Sequence, residues 1–320
     1  MMKEIEQLQT RINEALKQLT LPESPSNLYD PIKYILELGG KRVRPMLALL
    51  SYKLYKEDIE PAVVPALALE VFHNFTLVHD DIMDEAPLRR GKETVHKKWN
   101  ENIAILSGDV MLVEAYKLLG KAPKEVLPKL LEKFNACAQE VCEGQQKDMD
   151  FESRPYVSVD EYLDMIRQKT AVLLGFSLEM GAILAGAPDK DCELLYEAGV
   201  NLGIAFQLQD DLLDLYGGEA FGKQVGGDII NKKKSFLITK ALELSETKDS
   251  LLQLYNSSNT KSDEKVGKVK QVFEELDLEA KTQRFIKKFE NLGQDKIEQI
   301  NCQNKEGLTT LLHSLRTRTY

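Results

Sequence analysis

Two acidic clusters of identical design constrain this chain more than any other feature. Residues 80–84 and 210–214 both read Asp-Asp-x-x-Asp, and each cluster ends a long apolar stretch. If each stretch is helical, the first and last aspartates of a cluster lie one turn apart on the same face, where like charges repel. Mg²⁺ suits such carboxylates, because it is typically bound by one or two of them together with substrate phosphates. Two clusters with the same spacing therefore predict a facing pair of metal-binding walls rather than two solvated helix ends.

The composition is that of an ordinary soluble globular protein, with 43% hydrophobic and 29% charged residues among 320. A formal net charge of −9 argues against nucleic-acid binding, which needs a basic field. The four cysteines have no metal-ligand spacing, so we expect reduced thiols in a reducing compartment. The charged N-terminus predicts no secretion signal, and the apolar run 171–187 is short and contains Glu179, which predicts a buried helix. We expect a cytoplasmic protein without a transmembrane segment.

Helical periodicity dominates the chain, and strict apolar–polar alternation over the length of a strand is nearly absent. The predicted helices are 2–19, 30–38, 43–55, 63–84, 101–119, 124–149, 159–185, 190–215, 235–255, 263–292 and 304–317. We expect the helix 159–185 to be broken near Gly175. Prolines and glycines mark the turns, but no linker is long enough to divide domains. The sequence therefore predicts a single all-α domain over residues 1–320.

Basic residues occur where a phosphate-bearing substrate would need them. Residues 39–45, Gly-Gly-Lys-Arg-Val-Arg-Pro, place three cations beside a glycine pair at a predicted helix start, a position that favours anions. Arg89 and Arg90 follow the first aspartate cluster, and arginine suits bidentate phosphate contacts. A loop rich in glycine and lysine, residues 222–235, follows the second cluster. The acidic and basic groups together predict metal sites and anion sites for two charged substrates.

The order of these motifs resembles that of the trans-isoprenyl diphosphate synthases, the polyprenyl synthetase family. The matching motifs are Gly-Gly-Lys-Arg-x-Arg-Pro, Asp-Asp-x-x-Asp followed by Arg-Arg-Gly, Gly144-Gln145, Lys169-Thr170, Phe206-Gln207-x-x-Asp-Asp-x-x-Asp and the Gly-Lys loop. The resemblance covers about residues 30–240, and the rest of the chain towards the C-terminus has no recognisable signature. It implies an all-α fold of isoprenoid synthase type, in which ten or more helices surround a deep central cavity. It also implies a homodimer.

The resemblance implies a prenyltransferase that joins isopentenyl diphosphate head to tail (1′-4) to an allylic diphosphate. Mg²⁺ would assist ionisation of the allylic substrate, and the released pyrophosphate would accept the final proton. Three Mg²⁺ ions per active site are implied. The implied metal ligands are Asp80, Asp84 and Asp210, and the implied supporting residues are Asp81 and Asp214.

The resemblance also divides the basic residues between two diphosphate sites. The implied allylic site consists of Arg89, Lys169, Thr170, Gln207, Lys223 and Lys233. The implied isopentenyl diphosphate site consists of Lys41, Arg44, His73 and Arg90. Three consecutive lysines leave open whether Lys233 or Lys234 is the ligand. His73 lies nearly two helical turns before Asp80 and so on the same face, although a lone histidine on an apolar helix is more often a core residue.

The residues just before the first cluster line the pocket for the growing tail in this family. Phe72, Phe75 and Thr76 are i, i+3 and i+4 neighbours on the predicted helix. The bulk of Phe75 predicts a product of C15 to C20, and the small Thr76 favours geranylgeranyl diphosphate. Core packing of the two phenylalanines is the alternative.

Two other readings of the chain are a class I terpene cyclase and a non-catalytic subunit of a heteromeric prenyl synthase. A class I cyclase would carry Asn/Asp-Asp-x-x-Ser/Thr-x-x-x-Glu as its second motif, whereas this chain repeats Asp-Asp-x-x-Asp. Non-catalytic subunits lose one aspartate cluster, and this chain keeps both. The sequence therefore favours condensation.

Overall fold

The computed structural model describes residues 2–217, 225–257, 262–302 and 304–317, whose regular structure is helical apart from one antiparallel hairpin. The elements of the first half are α1 (Met2–Lys17), α2 (Ser26–Glu37), α3 (Val43–Lys53), α4 (Glu60–Met83), β1 (Leu88–Arg89), β2 (Lys92–Glu93), α5 (Val95–Lys98), α6 (Glu101–Leu119) and α7 (Leu127–Ser153). Those of the second half are α8 (Val159–Ile166), a π-helical turn (Arg167–Ala171), α9 (Val172–Ala185), α10 (Asp189–Tyr216), α11 (Gly227–Ile230), α12 (Phe236–Leu244), α13 (Lys248–Asn256), α14 (Ser262–Glu275), α15 (Leu278–Glu298) and α16 (Glu306–Thr317). The predicted all-α class is confirmed.

The chain forms two compact units. The first unit comprises Met1–Phe134, Phe176–Leu195 and Asn301–Tyr320, and the second comprises Asn135–Gly175 and Tyr196–Ile300. The single domain over residues 1–320 stays a prediction.

The core of the first unit is built around α4, which is apolar on nearly every face. A helix of this kind belongs inside a protein. Its neighbour α6 approaches closely because Gly108 has no side chain: a Cβ there would lie 2.6 Å from Cδ2 of His79. Gly181 of α9 allows a similar approach to α3, where a Cβ would lie 2.8 Å from Cβ of Ser51. Small residues thus bring the helix that ends in the first aspartate cluster against its neighbour.

Helix α4 is also the one helix of the described residues with the length and hydropathy of a membrane span. Within its most apolar window, 67% is buried inside the protein, which is the pattern of a core helix. The run 171–187, for which the sequence predicts burial, is buried through most of α9. The four cysteines all lie in described positions, and none forms a disulfide, as expected for reduced thiols.

In the second unit, a π-helical turn joins α8 to α9 without interrupting the helix. The predicted break near Gly175 is therefore wrong. Gly175 lies within α9 and allows a close contact with α10, since a Cβ on Gly199 would lie 2.6 Å from the Gly175 Cα. The irregularity occurs earlier, at Lys169, where the turn packs against Gly144 of α7. The glycine in the sequence marks a helix–helix contact rather than a break.

Two predicted helices in the C-terminal part are each divided in the structure. The predicted helix 235–255 is α12 and α13, because the Ser245 hydroxyl accepts the Thr247 N–H at 3.1 Å and so competes with helical hydrogen bonding. The predicted helix 263–292 is α14 and α15, separated at Asp277, whose φ of 53° is left-handed. The other predicted helices match the structure with shifted ends. The short α5, α11 and the hairpin have too few residues to produce a periodic pattern.

We expect Gly144→Ala to destabilise the protein by about 1–3 kcal/mol, the usual cost of overpacking. An added Cβ would lie 2.7 Å from Cα of Lys169 and 2.8 Å from the Gln168 carbonyl carbon, so backbone has to move. Chemical denaturation measures the change. Gly267→Ala is the matched control, because no atom lies within 4 Å of its added Cβ and alanine favours helix by up to about 1 kcal/mol. Equal stability of the Gly144 variant and the wild type would contradict the close contact.

Candidate active site

The first aspartate cluster occupies the last turn of α4, and Asp84 is the C-cap residue. Asp81 is 1% exposed and accepts two hydrogen bonds from Arg89, at 2.8 Å from Nε and 2.7 Å from Nη2. Asp80 is partly buried and Asp84 is exposed. Because the carboxyl end of a helix is the negative end of its dipole, two accessible carboxylates there favour a bound cation.

The hairpin β1–β2 follows this cluster and orients two arginines differently. Arg89 pairs with Lys92 in the ladder, and its guanidinium is bound to the buried Asp81. Arg90 and Gly91 form the turn, with φ values of 53° and 74°, as tight hairpin turns require. The structure therefore places the predicted allylic ligand Arg89 beside the first cluster and turns Arg90 away from it.

Arg90 joins the basic residues predicted to bind isopentenyl diphosphate. Its guanidinium donates a hydrogen bond to the Gly39 carbonyl and covers Gly40, where an added Cβ would lie 3.1 Å from Nη1. Burial and the positive charges of Arg44 and Arg90 lower the pKa of His73 well below its ordinary value, so this imidazole is neutral at neutral pH. The structure thus brings His73 into the field of both arginines. Lys41 is exposed on the same loop.

Arg42, which lies between Lys41 and Arg44 in residues 39–45, has a different function. Its side chain is buried and binds Glu70 of α4 through Nη1 at 2.5 Å, and it also donates to the Leu36 carbonyl at 2.7 Å. Asn74 donates to the same Glu70 carboxylate at 3.1 Å. Arg42 therefore anchors the loop to α4 instead of facing a ligand. The signal in the sequence was a pair of polar residues, Glu70 and Asn74, one turn apart in an otherwise apolar stretch.

The second aspartate cluster repeats this arrangement near the end of α10. Asp211 is 5% exposed and accepts hydrogen bonds from the Tyr162 hydroxyl, from the Phe236 N–H at 2.7 Å and from Gln207 at 3.3 Å. Burial raises the pKa of Asp211 to about 6. The middle aspartate of each cluster thus points inward: Asp81 joins α4 to the hairpin, and Asp211 joins α10 to α8 and α12. Tyr162 lies outside the family motifs, and nothing in the sequence indicated that it would bind Asp211.

The other two aspartates of this cluster are partly buried. Asp214 interacts with the segment that follows α10: its carboxylate accepts the Asp228 N–H at 3.0 Å, and its carbonyl accepts the Gly226 N–H at 2.8 Å. The predicted metal ligand Asp210 and the predicted supporting residue Asp214 lie one turn apart, as in the first cluster. Asp214 thus binds residues 226–228 through both its side chain and its backbone.

The π-helical turn carries two residues of the predicted allylic site. Lys169 forms an ion pair with Asp148 at 2.6 Å, and the Thr170 hydroxyl lies 3.4 Å from Oε1 of Gln207. Gln207 in turn donates to Asp211, so Thr170 and Gln207 are connected to the second aspartate cluster. π-helical turns are rare and frequently occur at functional sites.

Two lysines near α12 were alternatives for the last allylic ligand. The Lys233 ammonium forms an ion pair with Glu152 at 2.9 Å, whereas Lys234 is 7% exposed and burial lowers its pKa. The more accessible side chain, Lys233, is the better candidate. The predicted ligand Lys223 lies outside the described residues.

The predicted chain-length residues belong to an aromatic cluster of the first unit. Phe72 is 1% exposed, and its ring centroid lies 5.6 Å from that of Phe75 and 5.1 Å from that of Phe134. Phe75 and Thr76 are partly buried, and the Thr76 hydroxyl donates to the His73 carbonyl at 2.8 Å. Phe72 therefore packs in the core and the partly buried Phe75 packs against it, which is compatible with closing the end of a pocket.

The side chains fit Mg²⁺ bound jointly with substrate. Among the described residues, no three acidic, histidine or cysteine side chains come together as a complete metal site. Each cluster instead combines one inward aspartate with two that lie nearer the surface. Mg²⁺ commonly takes one or two protein carboxylates and completes its shell with water and phosphate oxygens. The donor set therefore suits a metal that arrives with a diphosphate.

Comparison with known proteins identifies the family. The sequence profile described as polyprenyl synthetase matches residues 25–276. A geranylgeranyl pyrophosphate synthase of Geoglobus acetivorans is 43% identical over 234 residues, which cover 72% of this chain and 73% of that protein.

Solved structures agree with the sequence comparison. A crystal structure of a geranylgeranyl pyrophosphate synthase is 45% identical, with a TM-score of 0.93 and 98% of each chain covered. The geranylgeranyl pyrophosphate synthase from Corynebacterium glutamicum is 25% identical, with a TM-score of 0.85 and 98% of each chain covered. The motifs, the fold and these similarities lead to one conclusion: the chain belongs to the polyprenyl synthetase family.

Proposed function

We propose that this protein condenses isopentenyl diphosphate head to tail (1′-4) with an allylic diphosphate to give geranylgeranyl diphosphate and pyrophosphate. The observation that carries the proposal is the repeated cluster in which one aspartate is bound inside the protein and two others lie nearer the surface. Similar proteins named geranylgeranyl diphosphate synthase support the C20 product. The wider set of relatives includes a farnesyl and a geranylfarnesyl diphosphate synthase, so the product length needs a direct measurement.

We further propose that Mg²⁺ binds to Asp80, Asp84 and Asp210, with three ions per active site. The Corynebacterium glutamicum structure is a complex with isoprenyl diphosphate and magnesium, which supports this choice of metal. When bound, the ions neutralise the leaving diphosphate, so that the allylic C–O bond can ionise. Asp81 supports the site by holding Arg89, and Asp214 supports it by holding the segment after α10.

The residues of the proposed allylic site act through charge and dipoles. Arg89, Lys169 and Lys233 bind the allylic diphosphate, where each cation stabilises charge that grows on the leaving group. Thr170 and Gln207 present oxygen atoms whose negative dipole ends stabilise the allylic cation. Lys223 completes this set by family resemblance. No separate protein base is required, because the released pyrophosphate accepts the final proton.

The residues of the proposed isopentenyl diphosphate site bind the second substrate in a fixed orientation. Lys41, Arg44 and Arg90 supply positive charge for its diphosphate. His73, whose pKa is lowered by burial and by these arginines, contributes a hydrogen bond. The buried pair Arg42–Glu70 keeps the loop in place without using a ligand-binding cation.

We propose that the protein is a cytoplasmic homodimer. Helix α6 presents an exposed apolar face to solvent, although α6 packs tightly against α4 on its other side. The residues of this face are Ile105, Leu106, Val113 and Tyr116. Exposed apolar side chains on one helix face are typical of interaction sites, and a second copy of the chain is the partner that the family resemblance implies.

The proposed function is tested by incubating the protein with dimethylallyl diphosphate, isopentenyl diphosphate and Mg²⁺ and sizing the products. We expect isopentenyl diphosphate to be consumed and a C20 prenyl diphosphate to accumulate. A terpene cyclase would instead release a hydrocarbon or alcohol without consuming isopentenyl diphosphate. A non-catalytic subunit would consume neither substrate.

We expect Asp80→Ala or Asp84→Ala to abolish turnover while the protein stays folded, because these carboxylates bind metal and add little packing. Steady-state rates and thermal unfolding measure the two effects. Asp295→Ala, at an exposed position of α15, is the control and should keep full activity. A cluster variant that keeps more than about a tenth of the wild-type rate, about 1.4 kcal/mol in barrier, would show that the metal assignment is wrong.

We expect the double variant Phe72→Ala/Phe75→Ala to lengthen the product by one or more isoprene units, because it opens the end of the pocket without touching the aspartates. Product sizing checks this. Phe72 is fully buried and its loss alone costs about 3–5 kcal/mol, so the single variant Phe75→Ala is measured as well. Phe289→Ala, in the second unit, should leave the product unchanged. Identical products from the wild type and both Phe75 variants would place the chain-length determinants elsewhere.

A further inference from the structure

Residues 226–235, which follow the second aspartate cluster, have an irregular backbone that is stabilised by contacts with other helices. The Lys233 N–H donates to the Asp228 carbonyl at 2.9 Å, which closes a loop around α11. Gly226 and Lys232 both have left-handed φ values, 74° and 58°, and Lys232 is not a glycine. We refer to residues 226–235 as the α10–α12 loop. It carries the proposed ligand Lys233 and contacts Asp214.

Tyr255 of α13 supports both ends of the α10–α12 loop. Its side chain is 1% exposed, and its hydroxyl lies 3.1 Å from the Asp228 carbonyl oxygen and 2.5 Å from that of Lys233. A hydroxyl has one proton, so the two carbonyls share a single donor. Without that donor, each carbonyl would lose a buried hydrogen bond, although the Asp228 carbonyl would still accept the Lys233 N–H, and the loss of a buried hydrogen bond is costly.

Lys265 of α14 supports the middle of the same loop. It is 3% exposed, and its ammonium donates to the Ile229 carbonyl at 2.7 Å. The ammonium also lies 5.3 Å from the centroid of the Tyr255 ring, within the range of a cation–π interaction. Lysine is almost never buried without a partner, and burial lowers the pKa of Lys265. The buried ammonium group therefore donates a hydrogen bond to the loop backbone.

Helix α14 also approaches the start of the loop directly. An added Cβ on Gly226 would lie 2.8 Å from Cγ1 of Val266, so only glycine fits there. Three neighbouring contacts thus connect α13 and α14 to backbone atoms of the loop. The polar contacts are all directed at carbonyl oxygens of the loop, which indicates that they stabilise the loop backbone.

We propose that Tyr255 and Lys265 are positioning residues that hold the α10–α12 loop so that Lys233 and Asp214 are placed for the allylic diphosphate. The proposal rests on the proposed function for the identity of that substrate. It gives a function to a part of the chain, beyond residue 240, that carries none of the family motifs. Neither residue touches substrate; both act through the loop backbone.

The test compares Tyr255→Phe, which removes only the hydroxyl, with Lys265→Met, which keeps the length of the side chain and removes the charge. We expect each to raise the KM for the allylic diphosphate about fivefold to tenfold, the size of one lost buried hydrogen bond. The KM for isopentenyl diphosphate should change less than about twofold. Equal changes in both constants, or no change in either, would overturn the proposal, because a merely structural role does not select one substrate.

Two controls separate positioning from general destabilisation. Tyr55→Phe removes a tyrosine hydroxyl that donates to Asp191 at 2.9 Å in the first unit. Lys268→Met removes an exposed lysine from the same helix as Lys265. Both controls should leave both KM values unchanged. A shift of the allylic KM in either control equal to that of the test variants would contradict a specific function of Tyr255 and Lys265.

A second measurement does not depend on turnover. Amide hydrogen exchange should be faster within residues 226–235 of Tyr255→Phe than in the wild type, with the exchange of α12 beyond its first turn unchanged. Unaltered exchange of the loop would overturn the proposal even if the KM changes. If the wild-type protein makes no prenyl diphosphate, the proposed function fails, and the exchange experiment still decides whether Tyr255 and Lys265 hold the loop.

Discussion

Negative charge at the carboxyl ends of two helices, α4 and α10, is the constraint around which each aspartate cluster is organised. Neighbouring carboxylates repel one another, and the helix dipole is also negative there. The structure reduces this cost by turning the middle aspartate of each cluster inward. Asp81 is neutralised by Arg89, and Asp211 accepts three hydrogen bonds in the second unit. The charge that remains on the other aspartates is what a divalent cation would neutralise.

Close backbone contacts place the cationic groups of the candidate site. Arg90 covers Gly40 in the first unit, and the turn that carries Lys169 packs on Gly144 in the second. A methyl group on Gly144 would collide with the Lys169 backbone, and one on Gly40 would lie 3.1 Å from Nη1 of Arg90, which is a tight contact. The buried ion pair of Arg42 with Glu70 adds a polar anchor, which holds the loop because a buried charge without its partner is strongly unfavourable. Glycine contacts and a buried ion pair thus fix the backbone next to these cationic groups.

The protein is a prenyltransferase of the polyprenyl synthetase family, as its sequence motifs predict, and its all-α fold is confirmed. The individual roles of the site residues stay predictions. The structure adds a candidate function for the C-terminal part of the chain, since α13 and α14 contact the backbone between Asp214 and Lys233. The absence of a motif there is reasonable for residues that act on backbone carbonyls, because different donors can satisfy a carbonyl.

The sequence by itself determined the helical class, the family and the charged residues available to the site, because periodicity, ordered motifs and ionisable side chains are local properties. Side-chain chemistry alone did not separate Arg42 from Arg44, or Asp81 from Asp80; the family resemblance assigned Arg44 and Asp80 to the site, and the structure shows which groups Arg42 and Asp81 bind. The sequence also predicted a helix break at Gly175, where the structure has a close contact between two helices. It contained no sign that Tyr255 or Lys265 would contact the α10–α12 loop. Those assignments depend on contacts between residues distant in the chain, and only the tertiary structure decides which buried groups meet.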